Sequence, residues 1–288
     1  MKAFSWILLP VLFVLSACVK NNENPTWLDI RKWTLIKNVD LNGQEGELSS
    51  NFSDVYLLID GKVIGYFELP IKLPILEQGT HTITMYPAIR NNGISATKKV
   101  FPFCDKFEVN HNFIPDSVVP LDPVTKYSSN CKFWIEDFED AAVKIYTDPI
   151  SNGTLTSGND PVILNYGNFY GHVKVTTADS LWLGYATPSM TLPKSGAEVY
   201  MEIDYYNDNK LRTGLIAYEP SETKTHVNID LNAQDASSIR WKKIYIDLKE
   251  IVSNSPQAGS FSPFFDARLS NGKSEGNIYI DNIKMIHF

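Results

Sequence analysis

From residue 27 onward the chain alternates. Trp27, Asp29, Arg31 and Trp33 interleave with Leu28, Ile30, Lys32 and Thr34, and the short run Val55-Tyr56-Leu57-Leu58-Ile59 follows. A period of two predicts strands with one buried face. Asp60-Gly61 favours the positive φ of a tight hairpin turn, and Lys62 to Phe67 is the returning strand. Thr80 to Tyr86 (THTITMY) is β-branched and alternates cleanly. Asn91-Asn92-Gly93 marks another turn, and Thr97 to Phe101 another strand. Past residue 131 the pattern continues through 171–175, 180–185, 197–206, 214–218, 240–248 and 276–284. Helix signals are weak; 248–252 is long enough for one turn. The chain is expected to be all-β.

Two stretches break the alternation. Residues 111–130 hold Pro115, Pro120 and Pro123, which predicts an extended, stiff linker between two domains. The other break is at the amino end, where Lys2 precedes an apolar run from Trp6 to Val14 and then Leu15-Ser16-Ala17-Cys18. A charged start, a short apolar middle and small residues at a cut make a secretory signal. The run is shorter than the roughly 20 residues a membrane span needs, and Pro10 interrupts it.

Leu15-Ser16-Ala17-Cys18 resembles the lipobox of bacterial lipoproteins. The resemblance implies cleavage after residue 17, a diacylglycerol thioether on Cys18 and, with Val19 rather than aspartate next, sorting to the outer membrane of a Gram-negative cell. The expected division is then a lipoprotein signal peptide at 1–17, a lipidated tether at 18–26, a β-sandwich at 27–110, the linker at 111–130 and a second β-domain at 131–288.

The string from Val55 through Asp60-Gly61-Lys62 to Gly65, with Gly79-Thr80-His81 after it, resembles PEGA-type and related immunoglobulin-like modules. That implies an immunoglobulin-like sandwich serving as an envelope spacer or interaction module. The second domain resembles the galactose-binding-like jelly roll of many carbohydrate-binding modules. The residues that carry it are Asp137-Phe138-Glu139, Glu202-Ile203-Asp204-Tyr205, the Trp241 to Leu248 strand, and Ile278-Tyr279-Ile280-Asp281-Asn282-Ile283. The resemblance implies that the first and last strands adjoin. It also implies a structural calcium at Glu139 and Asp281. Calcium takes six to eight oxygens, so carbonyls would have to complete the set; a pair of solvated charges is the alternative.

Composition narrows the functions. The formal charge of −7 argues against nucleic acid, whose phosphates need a basic surface. Aromatics at 12% leave rings for a binding platform as well as a core. The five histidines, His81, His111, His172, His226 and His287, form no short metal spacing, and no GxSxG, Walker or dinucleotide motif is present. Glu202 to Asn207 is similar to the active strand of one family of retaining β-glucanases, which would put Glu202 and Asp204 on one face about 7 Å apart. That family has a glutamate where this chain has Asn207, and an amide donates no catalytic proton. The chain is therefore expected not to be an enzyme.

Cys104 and Cys131 remain once Cys18 is lipidated. In a compartment where disulfides persist, an even count invites a bridge across the linker, with two buried thiols as the alternative. Two functions stand. The first is an accessory or scaffold subunit of an outer-membrane protein complex or barrel. The second is carbohydrate binding by the jelly roll, with Trp182, Tyr185, Tyr205 and Tyr206 as the sugar platform. Because neighbouring residues point to opposite faces, at most one of Tyr205 and Tyr206 belongs to the core.

Overall fold

A computed structural model describes residues 24–288. The signal peptide, the lipidation site Cys18 and most of the tether lie outside the described residues. The described chain is all-β, in two lobes.

The N-terminal lobe opens with β1 (Thr26–Ile30) and β2 (Thr34–Leu35), followed by β3 (Asp54–Ile59), β4 (Lys62–Glu68), β5 (Ile71–Ile75) and β6 (Gly79–Arg90). It continues with β7 (Lys98–Val100), β8 (Phe107–Phe113), β9 (Val118–Leu121) and β10 (Val124–Thr125). One sheet runs β4-β3-β6-β7, with β8 also on β6; a second runs β5-β1-β9, and β2 pairs β10. The alternation is honoured: Leu28 and Ile30 are fully buried, as are Val55 and Leu57 on β3. The β3–β4 hairpin turns on Asp60 (φ 49°) and Gly61 (φ 76°), as the dipeptide predicts.

Residues 111–130 are not a linker. β8 ends inside the stretch, and β9 and β10 lie wholly within it. β9 pairs in parallel with β1, setting Pro120 opposite Asp29, and β10 pairs with β2. Pro120 is tolerated because β9 is an edge strand, where a missing N–H breaks no ladder, and Pro115 and Pro123 lie in the connections before and after it. Nor is there a bridge: Cys104 and Cys131 are both free thiols. Both belong to the N-terminal lobe, where Cys131 is part of the apolar core and Cys104 packs against it. The Cys131 Sγ–H reaches the Phe103 carbonyl at 3.4 Å, and burial pushes the thiol's pKa up to about 12.

The C-terminal lobe holds β11 (Lys132–Glu136), β12 (Ile145–Thr147), β13 (Thr154–Gly158), β14 (Tyr170–Thr176), β15 (Leu181–Ala186) and β16 (Val199–Asn207). Then come β17 (Leu211–Tyr218), β18 (Thr223–Leu231), β19 (Lys242–Asp247), the one-turn α1 (Lys249–Ser253), β20 (Ser260–Arg268) and β21 (Glu275–His287). Two antiparallel sheets, β13-β14-β21-β16-β19 and β12-β15-β20-β17-β18, form a jelly-roll sandwich. The first and last strands adjoin, β11 lying antiparallel on β21 from Lys132 opposite His287 to Glu136 opposite Ile283. Val199, Met201, Ile203, Ile278, Ile280 and Met285 face the core between the sheets.

The other face of the first sheet meets the N-terminal lobe. Tyr200, Tyr245 and Ile286 leave their own lobe's core and join that of the partner lobe. Phe101 packs edge-on to Tyr200, and Phe52 stacks on Tyr245. Charges are sealed in with them. Glu202, Asp204, Lys243 and Lys284 are all at most 8% exposed. Lys243 pairs with Glu202 at 2.8 Å and Asp204 at 3.6 Å, and donates to Ser49 Oγ at 2.8 Å. The Tyr127 hydroxyl donates to Glu202. Burial works against the Lys243 charge, but Asp204 and Glu202 outweigh it and hold the ammonium above its ordinary pKa. Lys284 has carbonyl partners instead, Glu45 O at 2.6 Å and Glu47 O. Burial and the Lys243 charge pull its pKa down to about 8. Lys243→Ala strands two buried carboxylates without their counter-charge, so urea denaturation should show a loss of about 3–5 kcal/mol. An unchanged unfolding midpoint would mean that the lobes are not joined through this network.

Candidate functional site: an interlobe cleft and an aromatic row

The four predicted platform residues part company. Trp182 is fully buried in the jelly-roll core, its Nε1–H donating to Thr147 Oγ1 at 3.0 Å. A Cβ on Gly184 would sit 2.4 Å from the Trp182 ring, so only glycine there lets the indole fill the space. Trp182 is thus a core residue and no sugar platform. Tyr185 lies on the second sheet with its ring 5.2 Å from Tyr146, away from the rest. Tyr205 packs partly against the core. Tyr206 points to the opposite face, as alternation requires.

On that face Tyr206 belongs to a row that crosses the strands. His172 on β14 stands opposite Tyr279 on β21, and Tyr279 stands opposite Tyr206 on β16. Trp241, one residue before β19, continues the line. The rings touch in sequence: His172 and Tyr279 stack at 4.4 Å and 11°, Tyr279 and Tyr206 meet edge-on at 5.4 Å, and Tyr206 and Trp241 lie at 6.1 Å. All four are half-buried. With strands ~4.8 Å apart, the row spans about 14 Å.

Trp241 also lines a cleft of about 820 Å³ between the lobes. From the C-terminal lobe come Tyr166, Asp204, Tyr205 and the run Arg240 to Tyr245; from the other lobe come Lys32, Trp33, residues 49–53, Glu68 and Arg90. Trp33 is fixed by its Nε1–H to the Asp54 carbonyl at 3.1 Å, and Trp241 by its own to Ile163 O at 2.6 Å. Tyr166 is 39% exposed. Asp204 Oδ2 is buried without a hydrogen-bond partner.

The two carboxylates that the jelly-roll resemblance offers to calcium are partnered differently. Glu139 already accepts from the Asn168 and Phe169 backbone amides at 2.6 and 2.8 Å and from Asn168 Nδ2 at 3.0 Å. Burial opposes its charge, but the three donors together outweigh it and hold its pKa below the usual range. Among the described residues no group of three acidic, histidine or cysteine side chains is arranged to hold a metal. Asp281 instead has one oxygen on the Asn282 N–H and one without a partner. Burial drives its pKa up to about 8, and the charges of Asp204, Asp137 and Glu139 add to the rise.

The glucanase-like strand is also disarmed. Glu202 is fully buried beneath the N-terminal lobe and ion-paired, so no substrate reaches it. Asn207 is a structural residue, its Nδ2 donating to the carbonyls of Asn209, Leu231 and Asn232. Sequence reasoning missed Trp33, Tyr166, Trp241, Tyr279 and His172 as site residues. A signal was present in Arg240-Trp241-Lys242-Lys243, an aromatic set among cations.

No family model matches the chain, and no curated protein sequence matches it. Solved structures similar in part include carbohydrate-binding modules of the β-sandwich superfamily, at 15% identity and TM-score 0.38, covering 81% of this chain and 84% of that one. A family 11 module from Clostridium thermocellum in complex with a mixed-linked tetrasaccharide matches at 14% identity and TM-score 0.35, covering 54% and 94%. The xylanase 10B CBM22-1–GH10 modules of the same organism, complexed with xylohexaose, match at 13% and 0.37 over 54% of this chain. The chain spans 28% of that xylanase structure's length.

Two outcomes check these placements. Trp182→Ala should cost about 3–5 kcal/mol in denaturant unfolding, as an emptied core site does. For Asp281, the folded pKa lies above the unfolded one, so the folded state binds the extra proton between about pH 4 and 8 and stability falls as pH rises through that window. Asp281→Asn should flatten the decline, gaining on the wild type at pH 8 and not below pH 4. Parallel stability–pH curves for the two proteins would show that the carboxyl is not held protonated.

Proposed function

We propose that this protein is a non-catalytic carbohydrate-binding lipoprotein, held to the outer membrane through Cys18 and gripping its ligand along the aromatic row and the cleft that the row enters. The observation that carries the reading is the row itself. Four rings, His172, Tyr279, Tyr206 and Trp241, step across neighbouring strands on a sheet face and lead into a polar cleft. A saccharide presents apolar ring faces with hydroxyls around the rim, so it suits aromatic surfaces flanked by hydrogen-bonding groups. The cleft supplies such groups from both lobes. The lipid anchor rests on Leu15 to Cys18, and a saccharide-binding body needs only that tether to work at a membrane surface.

The accessory-subunit reading draws on a different feature. β18 is the outer strand of the second sheet, with alternating exposed residues and Val227 52% exposed, an edge on which another chain could pair. Purification from detergent-solubilised membrane separates the two: a stoichiometric partner favours the complex, and a protein that comes out alone does not.

The saccharide reading is tested by affinity electrophoresis of residues 26–288 through gels carrying soluble polysaccharides. Trp241→Ala and Tyr206→Ala should each weaken retention at least about fivefold, the loss of one aromatic contact, without lowering the melting temperature by more than a few degrees. Tyr185→Ala, on the opposite sheet, should change nothing. Retention that survives both Trp241→Ala and Tyr206→Ala would remove the row from the site.

A further inference from the structure

We infer that the ligand is an anionic saccharide, one carrying carboxylate or sulfate groups, and that the interlobe cleft reads its charge. The inference rests on the carbohydrate reading and adds the class of sugar. The protein as a whole is acidic, with a formal charge of −7. The cleft is the reverse: Lys32, Arg90, Arg240, Lys242 and Lys243 line it against only Glu68 and Asp204.

Local pairing sharpens the contrast. Glu68 is taken by Arg90 at 2.8 Å, and Asp204 lies 3.6 Å from Lys243, which Glu202 holds at 2.8 Å. Among the described residues no carboxylate lies within ion-pair distance of Lys32, Arg240 or Lys242, and all three are exposed. Unpaired cations from two lobes thus line one cleft of an otherwise negative protein, a setting that favours an anion. Arg240 and Lys242 are the sequence neighbours of Trp241 and line the same cleft, so a sugar seated there meets a guanidinium and an ammonium that can pair with an acid group. Low-dielectric walls around the cleft concentrate this field, while the negative remainder of the surface discourages polyanions from binding elsewhere.

The experiment uses the full chain in detergent, run through gels containing polygalacturonate, alginate, chondroitin sulfate, or the neutral polymers laminarin, xyloglucan and mannan. Retention by an anionic gel is expected, weakening at least tenfold between 50 and 500 mM salt as roughly two or more ion pairs are screened. The first two gels against the third separate carboxylate from sulfate recognition. Arg240→Gln with Lys242→Gln should reduce retention at least tenfold at low salt, and Lys32→Gln on the other lobe at least threefold, with melting temperatures unchanged. Retention by neutral gels alone overturns the charge inference and leaves the carbohydrate reading standing. Retention by no gel overturns both. Anionic retention that these variants leave intact overturns the placement in the cleft.

Discussion

The structure depends on four ionisable side chains held out of water. Glu202, Asp204, Lys243 and Lys284 project from the outer face of one jelly-roll sheet into the contact with the N-terminal lobe. Two carboxylates and two ammonium groups balance, but burial charges each of them a desolvation penalty that only good geometry repays. The N-terminal lobe supplies that geometry: Tyr127 to Glu202, Ser49 to Lys243, and the carbonyls of Glu45 and Glu47 to Lys284. Without this cover the sheet face would be solvated and the lobes free to separate. With it, the partners fix one relative placement, since any slide would strand a buried charge.

A second contact beyond the quartet fixes the same placement. Lys99 reaches Glu198 at 2.9 Å and Asp247 at 3.0 Å, and the side chains of Asn91 and Asn92 bind Tyr200 and the Asp247 amide. Gly93 sits where a Cβ would come within 2.9 Å of the Ile244 side chain, with φ +72°, so the 91–93 turn approaches β19 as closely as it does because that residue is glycine. The N-terminal lobe thereby covers one end of the sheet face and stops short of the other. What it leaves uncovered is the aromatic row, and the boundary between the two is the cleft.

Much of the fold was legible because alternation is a local signal. Burial of Leu28 and Ile30, the Asp60-Gly61 turn and the adjoining first and last strands follow from residues close in sequence or from a motif. What failed needed partners far away. Pro115, Pro120 and Pro123 read as a linker because proline breaks ladders, yet two of them sit in short connections and Pro120 lies on β9, an edge strand, and edge status is a property of the sheet. Trp182 read as a platform because alternation gives two faces without saying which is inside; Gly184, two residues on, made the room that marks the buried one. Glu202 and Asp204 were placed on one face, but nothing nearby in sequence announced that a second lobe would cover it. Tyr279 and His172 were invisible as site residues because the row they form runs across strands, through neighbours at separations no sequence period records.

Lys243 links the two halves of this picture. Its ammonium anchors the buried quartet, while its strand presents Lys242 and, one residue beyond, Trp241 to the cleft. The wall of the cleft is thus continuous with the wall that joins the lobes. A cleft built from two loosely tethered domains would lose much of its binding energy to ordering them; here that ordering is done during folding, by interactions that no ligand has to supply.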